Sequence, residues 1–187
     1  MAVMLHLLRR HPDSQCVAAT RIEVDVARPL RGSLVVSYVV HGEISRLRLP
    51  AVTASKRSDE LWRHTCFEAF FGTAAPAAYY ELNFAPSTQW AAYQFSSYRA
   101  GMRVATHVRP PIIKVQSTSG CYALQASLDL DTFSDLPRDV GWRLGLAAIT
   151  EDSDGRKSYW ALAHPPGKAD FHHSDCLAHE LAGHQDA

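Results

Sequence analysis

Apolar residues along this chain alternate with polar ones far more often than they recur at helical spacing. Arg21-Ile-Glu-Val-Asp-Val26 puts Ile22, Val24 and Val26 on one side of an extended backbone, because successive strand side chains point to opposite faces. Ser33-Leu-Val-Val-Ser-Tyr-Val-Val40 is a more continuous apolar run, the pattern expected of a strand covered on both sides. A polar turn at His41-Gly42-Glu43 leads into Ile44-Ser-Arg-Leu-Arg-Leu49, which alternates again and stops at Pro50. Residues 62–71 and 79–86 read as two strands joined by a Gly/Ala/Pro connection over 72–78, and 89–95 follows at once. Further strands are expected over 106–109, 112–116, 121–128, 142–149 and 158–162, with Gly, Pro, Asp and Ser clusters between them. Only residues 55–61 and 131–136 offer a helical turn or two. Many short strands punctuated by turns predict an all-β fold, a single antiparallel β-sandwich. No repeat, low-complexity tract or linker divides the 187 residues, so 1–187 is expected to form one domain.

Composition narrows the function classes. Nineteen basic and nineteen acidic residues cancel, which leaves no electrostatic footprint for a phosphate backbone and argues against nucleic acid as a partner. No segment approaches the ~20 apolar residues needed to cross a bilayer. The apolar start, Met1-Ala-Val-Met-Leu-His-Leu-Leu-Arg-Arg10, carries its charges after the apolar run rather than before it, unlike a secretory signal. Cys16, Cys66, Cys121 and Cys176 form no CxxC pair and are expected to be reduced, largely buried thiols. A cytoplasmic location follows from these readings.

The most informative stretch is Trp62-Arg-His-Thr-Cys-Phe-Glu68, followed by Tyr79-Tyr-Glu-Leu-Asn-Phe-Ala-Pro86. An even offset along an extended strand would turn Trp62 and Glu68 to the same side, an aromatic plate beside a carboxylate. That pairing suits a sugar, whose C–H face stacks on an indole while its hydroxyls donate to a carboxylate. Asn83 is a candidate second hydrogen-bonding group and Arg99 a candidate donor, the stronger contacts being the charge-assisted ones. Trp90 and Tyr93 fall on opposite faces of their strand, so one of them should look away from the core. No G-x-S-x-G elbow, P-loop or G-x-G-x-x-G exists, so no catalytic residue is assigned. Glu68 and Glu81 form a glycosidase-like pair only if their separation allows it. His64, His164, His172, His173, Cys66 and Cys176 raise the question of zinc, but their spacing fits no known zinc pattern, and no metal site is assigned. Asp152-Ser-Asp-Gly-Arg-Lys157 resembles the start of a calcium loop but lacks its twelfth-position Glu, and reads as a hairpin turn.

With these elements in place, the chain resembles the DOMON-like domains, an immunoglobulin- or jelly-roll-like sandwich family, and within them the branch related to carbohydrate-binding module family nine. Leu61, Trp62, Glu68 and Phe70 match its Leu-Trp-x-x-x-x-x-Glu-x-Phe segment, and Tyr79, Glu81 and Asn83 its Tyr-x-Glu-hydrophobic-Asn strand. Asp170-Phe-His-His-Ser-Asp-Cys-Leu-Ala-His-Glu-Leu181 matches the closing segment. The resemblance implies a domain that binds a small ligand, a saccharide or sugar-like metabolite, without transforming it. Trp62 corresponds to one aromatic wall and Glu68 to a hydroxyl acceptor. The second wall would come from Phe171, His172 or Trp160, with His173 helping to close the site. No Trp stands between 170 and 181, so the second wall is smaller or more polar than in the sugar-binding relatives. Other DOMON relatives bind haem through Met and His; Met102 is the one methionine away from the N-terminus, and no c-type attachment motif occurs. The expectation is no cofactor, with haem and zinc as the alternatives and an enzyme acting on a carbohydrate-type substrate as the rival function.

Overall fold

The structure, a computed structural model, describes residues 4–73, 78–137 and 140–183. Among the described residues thirteen strands build two antiparallel sheets laid face to face. The smaller sheet has the spatial order Met4–Leu7 (β1), Ala19–Ala27 (β3), Ser33–Gly42 (β4), Cys121–Asp129 (β10) and Ile112–Ser117 (β9). The larger runs Arg9–Arg10 (β2), Lys157–Ala161 (β12), Trp142–Glu151 (β11), Cys66–Thr73 (β5), Tyr79–Phe84 (β6), Trp90–Phe95 (β7) and Arg103–Val104 (β8). His179–Leu181 (β13) also pairs with β11, near its start. This is the all-β sandwich expected from the alternation. Most of the connection expected between β5 and β6 falls on residues 74–77, outside the described residues.

The core lies between the sheets. From the larger sheet come Phe67, Phe71, Tyr80, Leu82, Phe84 and Trp90, and from the smaller Ile22, Leu34, Val36, Tyr38 and Leu124. Each such side chain withdrawn from water contributes roughly 1.5–3 kcal/mol. The Tyr38 hydroxyl crosses the gap and donates to the Glu68 carbonyl at 2.7 Å, fixing β5 from beneath.

Several segments depart from the alternation. β4 was expected to be covered on both faces, yet Val35 and Val39 are only half-buried while Leu34, Val36, Tyr38 and Val40 are buried. Its valines on the open side reflect β-branched preference for a pleated backbone, not a second core. Residues 44–49 form a 3-10 turn at Ile44–Arg46 instead of a strand. Ile44 and Leu47, three apart, both reach the core at 3-10 spacing. The backbone then leans on the end of β11, where Arg48 N–H donates to the Glu151 carbonyl at 2.8 Å. Residues 106–109 turn rather than extend, so that Ala105 and Val108 can both be buried. The helical turns lie at Leu61–Arg63 and Leu130–Thr132, displaced from the expected 55–61 and at the start of 131–136. The hairpin at 152–157 forms as expected: Asp152 Oδ1 accepts from the backbone N–H of Asp154 and Arg156, and Gly155 adopts φ +78°.

Candidate functional site

The outer faces of the two sheets differ, and that difference locates the site. Every residue of β6 and β7, and of β5 up to Gly72, is buried. Even-numbered residues of β5 and odd-numbered residues of β6 and β7 point away from the inter-sheet core. Three segments, 55–65, 96–102 and 162–178, fold over them, and a second apolar cluster of Phe70, Tyr79, Tyr93, Phe95, Ile149 and Phe171 forms there. Gly145 lets the last segment settle: a Cβ at that position would stand 3.1 Å from the Cys176 carbonyl oxygen.

Trp62 enters from the first of these segments. Arg57 bridges to Trp90 of β7 with its guanidinium 4.1 Å above the indole, and Asp59 accepts from the Tyr93 hydroxyl at 2.8 Å. Glu60 then takes a left-handed conformation, φ 60°, and the 3-10 turn follows, braced by the Glu60–Arg63 pair at 2.7 Å. The half-buried indole meets Tyr93 edge-on, centroids 5.8 Å apart. Trp62 is thus not on the Glu68 strand, and the even-offset argument fails because a turn intervenes before β5 begins at Cys66. The turn nevertheless delivers its ring to the same hollow.

That hollow, about 390 Å³, is lined by Trp62, Glu68, Glu81, Phe95, Arg99, Met102, Ile149, Tyr159, Ala169, Phe171 and His172. Glu68 and Glu81 form its polar floor. Their strands pair with Glu68 opposite Asn83 and Phe70 opposite Glu81, so the two carboxyls are diagonal neighbours on one face. Glu81 Oε1 accepts from Asn83 Nδ2 at 2.8 Å, and Oε2 lies 3.7 Å from His172 Nε2. Glu68 is 3% exposed and its Oε1 finds no hydrogen-bond partner among the described residues. Burial pushes the Glu68 carboxyl well above the usual carboxylate range, the adjacent Glu81 adding to this and Arg99 opposing it. Burial likewise raises Glu81 to about 7, against the Asn83 hydrogen bond and the Arg99 charge. Two acids so close, both short of water, retain a proton between them near neutrality.

The opposite rim is as closely built. Asp170 gathers Arg99 Nη2 at 2.7 Å, Arg99 Nε at 3.1 Å, the Tyr98 hydroxyl, and the His172 N–H at 3.1 Å. Cys176 Sγ donates to the Ala163 and Asp170 carbonyls, folding the closing segment on itself. The Tyr79 oxygen accepts from Arg99 N–H at 3.2 Å and contacts His172 Nδ1 at 2.9 Å. Burial, then the Arg99 charge, lowers His172 to about 4 and keeps it neutral.

Of the residues singled out from sequence, Trp62, Glu68, Arg99, Phe171 and His172 meet in this hollow. Asn83 lies fully buried beneath it and orients Glu81. Trp160 does not reach it: its ring is 3% exposed on the inner face of β12, with Nε1 donating to Thr150 Oγ1. His173 faces a neighbouring shallow recess beside Tyr98 and Pro165, and its Nδ1 accepts from Asp175 N–H to cap the short turn Ser174–Cys176. Arg103 is held by Gln94 Oε1 at 2.6 Å, away from the hollow. Glu81, Phe95, Met102, Ile149 and Tyr159 were not assigned to the site from sequence. Tyr159 was within reach of the strand argument, since it occupies the face opposite Trp160. The histidines and cysteines considered for zinc are dispersed: His64 Nδ1 bonds Glu151 at 2.6 Å and Cys66 faces Asn83. Among the described residues no group of three or more His, Cys, Asp or Glu converges as ligands.

No protein-family model matches this chain, and no curated protein matches its sequence. Solved structures share its fold. A protein from Bacteroides uniformis described as carbohydrate-binding superposes with a TM-score of 0.59 at 11% identity, over 88% of this chain and 81% of its own. A family 9 carbohydrate-binding module from Caldicellulosiruptor kristjanssonii, in complex with glucose, gives 0.56 at 14% identity over 99% and 87%. At such identities the likeness establishes the fold, and this chain has the fold of a family 9 module.

Proposed function

We propose that this chain binds a small saccharide or sugar-like metabolite in the outer-face hollow and does not transform it. The observation that carries this reading is that a half-buried indole, Trp62, and two carboxyls, Glu68 and Glu81, line one cavity of about 390 Å³. That volume suits a ligand of one or two sugar rings. Trp62 stacks on the C–H face, Phe95 and Phe171 complete the apolar wall, and Glu68, Glu81, Arg99 and His172 address the hydroxyls. The folds shared with a carbohydrate-binding protein and with a glucose-bound module support the ligand class. Relation to the DOMON-like domains, a cytoplasmic location and the lack of haem or zinc belong to the same proposal and rest on the sequence. A thermal-shift screen over monosaccharides, disaccharides and polyols tests it, because a ligand that binds only the folded chain raises the melting temperature. A rise that saturates with a sugar and is lost in Trp62→Ala supports the reading; no response across the panel refutes it.

A second reading, glycoside hydrolysis, rests on the same acid pair. A carboxyl raised to about 7 beside a second one is the arrangement of a proton donor at neutral pH. Turnover of aryl glycosides that disappears in Glu81→Gln would replace binding with catalysis.

A further inference from the structure

A neutral saccharide would accept or donate at the Glu68 carboxyl but would leave its charge without a counterpart. A hydroxyl satisfies one lone pair of a buried carboxylate but does not offset its charge, whereas an ammonium does both and has three protons to share. Glu68 lines the hollow, and its Oε1 is buried with no hydrogen-bond partner among the described residues. Glu81 keeps one oxygen on Asn83 and turns the other toward the cavity side, 3.7 Å from His172 Nε2. The one guanidinium on the rim, Arg99, gives Nε and Nη2 to Asp170. The walls above the acids are aromatic, from Trp62, Phe95, Tyr159 and Phe171, and ring faces attract cations. Resting on the proposed saccharide reading, we infer that the favoured ligand carries a positively charged amine, an amino sugar or amino polyol, whose ammonium sits between Glu68 and Glu81.

The charged and titratable groups facing this acid pair are Arg99 and Asp170 on the rim, His172 and Tyr79 beside Glu81, Tyr93 opposite Glu81 on the neighbouring strand, Tyr159 on the wall, and Cys66 on the same strand face. Cys66 and Tyr79 are both pushed upward by burial and stay uncharged, and His172 is neutral. Among the described residues, Glu68, Glu81 and Asp170 therefore share one fixed cation, Arg99. Without a second cation the pair holds a proton; an incoming ammonium takes its place and that proton leaves.

Titration calorimetry on the full chain tests this with three matched pairs: glucose and glucosamine, galactose and galactosamine, mannose and mannosamine, each with its N-acetyl form. Near neutral pH, the amino member of the best-bound pair is expected to bind roughly tenfold or more tightly than its parent, and acetylation to abolish the gain. In mildly acidic solution its binding enthalpy should vary with the ionisation heat of the buffer, reporting proton release that the parent sugar lacks. Glu68→Gln should bring the affinity ratio close to one, with its melting temperature confirming that it folds. Equal affinity for amine and parent, or tighter binding of the parent, overturns this inference and leaves the saccharide reading standing. Binding of neither overturns both.

Discussion

The outer faces of the two sheets make the instructive contrast. On the smaller sheet β9 and β10 alternate between covered and open positions, and Ile112, Lys114 and Gln116 are exposed. Water reaches that face, and its polar side chains pair with one another, as Gln125 does with Ser37 and His41 with Glu23. On the larger sheet the corresponding face is roofed by three loop segments and carries Glu68, Glu81 and Asn83 at 5% exposure or less. A protein selecting only for stability would fill such a face with apolar groups, because buried acids without partners cost free energy. Holding two acids there, one with an oxygen unpartnered among the described residues, sets this face apart and underlies the proposed ligand reading.

The contrast can be broken or sharpened by substitution, beginning with the core. Phe71→Ala, on the inner face among Tyr80, Phe133 and Trp142, is expected to cost about 3–5 kcal/mol in urea unfolding. Trp62→Ala should cost only about 1 kcal/mol, because the indole rests on the sandwich from outside. Equal losses would mean that the loop roof is part of the core and not a removable wall.

Acidity probes the face itself. In the folded chain the Glu68 and Glu81 carboxyls lie above their ordinary 4.5, Glu81 at about 7. Between 4.5 and about 7 a folded chain with Glu81 protonated binds more protons than the unfolded one, so the Glu81 contribution is greatest at low pH and is lost as pH rises through about 7, and Glu68 acts in the same direction. His172, lowered from 6.5 to about 4, acts oppositely: its contribution is complete above 6.5 and is lost as pH falls toward 4. The Glu81 and His172 effects should each be on the order of 1–3 kcal/mol. Thermal melts across this range should show Glu68→Gln and Glu81→Gln flattening the alkaline decline, and His172→Gln the acidic one. An unchanged profile in all three would mean that these groups are hydrated in solution. At the small end, Lys114→Ala on the open sheet should change stability by no more than about 0.5 kcal/mol at any pH.

How much of this was legible in the sequence follows from what alternation encodes. Period two identified most strands, and for β3 it also identified the buried face, because Arg21, Glu23 and Asp25 can only face outward. It could not do so where both faces are apolar. β12 reads Lys-Ser-Tyr-Trp-Ala, with an aromatic on each side, and nothing local says that Trp160 enters the core while Tyr159 faces the hollow. The same ambiguity made β4 look doubly covered. Trp62 and Glu68 reached one cavity through a turn that strand parity does not describe. Met102 and Ala169 come from loops whose path depends on long-range partners such as Asp170 and Arg99, seventy-one positions apart, and no local pattern announces them.

The central claim is that the Trp62 ring and the Glu68–Glu81 pair share a ligand. Of the four tryptophans, Trp90, Trp142 and Trp160 are buried in the inter-sheet core at 3% exposure or less, so a change in fluorescence on adding ligand reports chiefly on Trp62. A fluorescence titration with the neutral and amino sugars named above is the most direct test. A saturable change in the native chain, shifted to higher concentration by Glu68→Gln and absent in a folded Trp62→Ala variant, is the predicted result. A saturable response that persists in Trp62→Ala, or no response to any sugar, would contradict it.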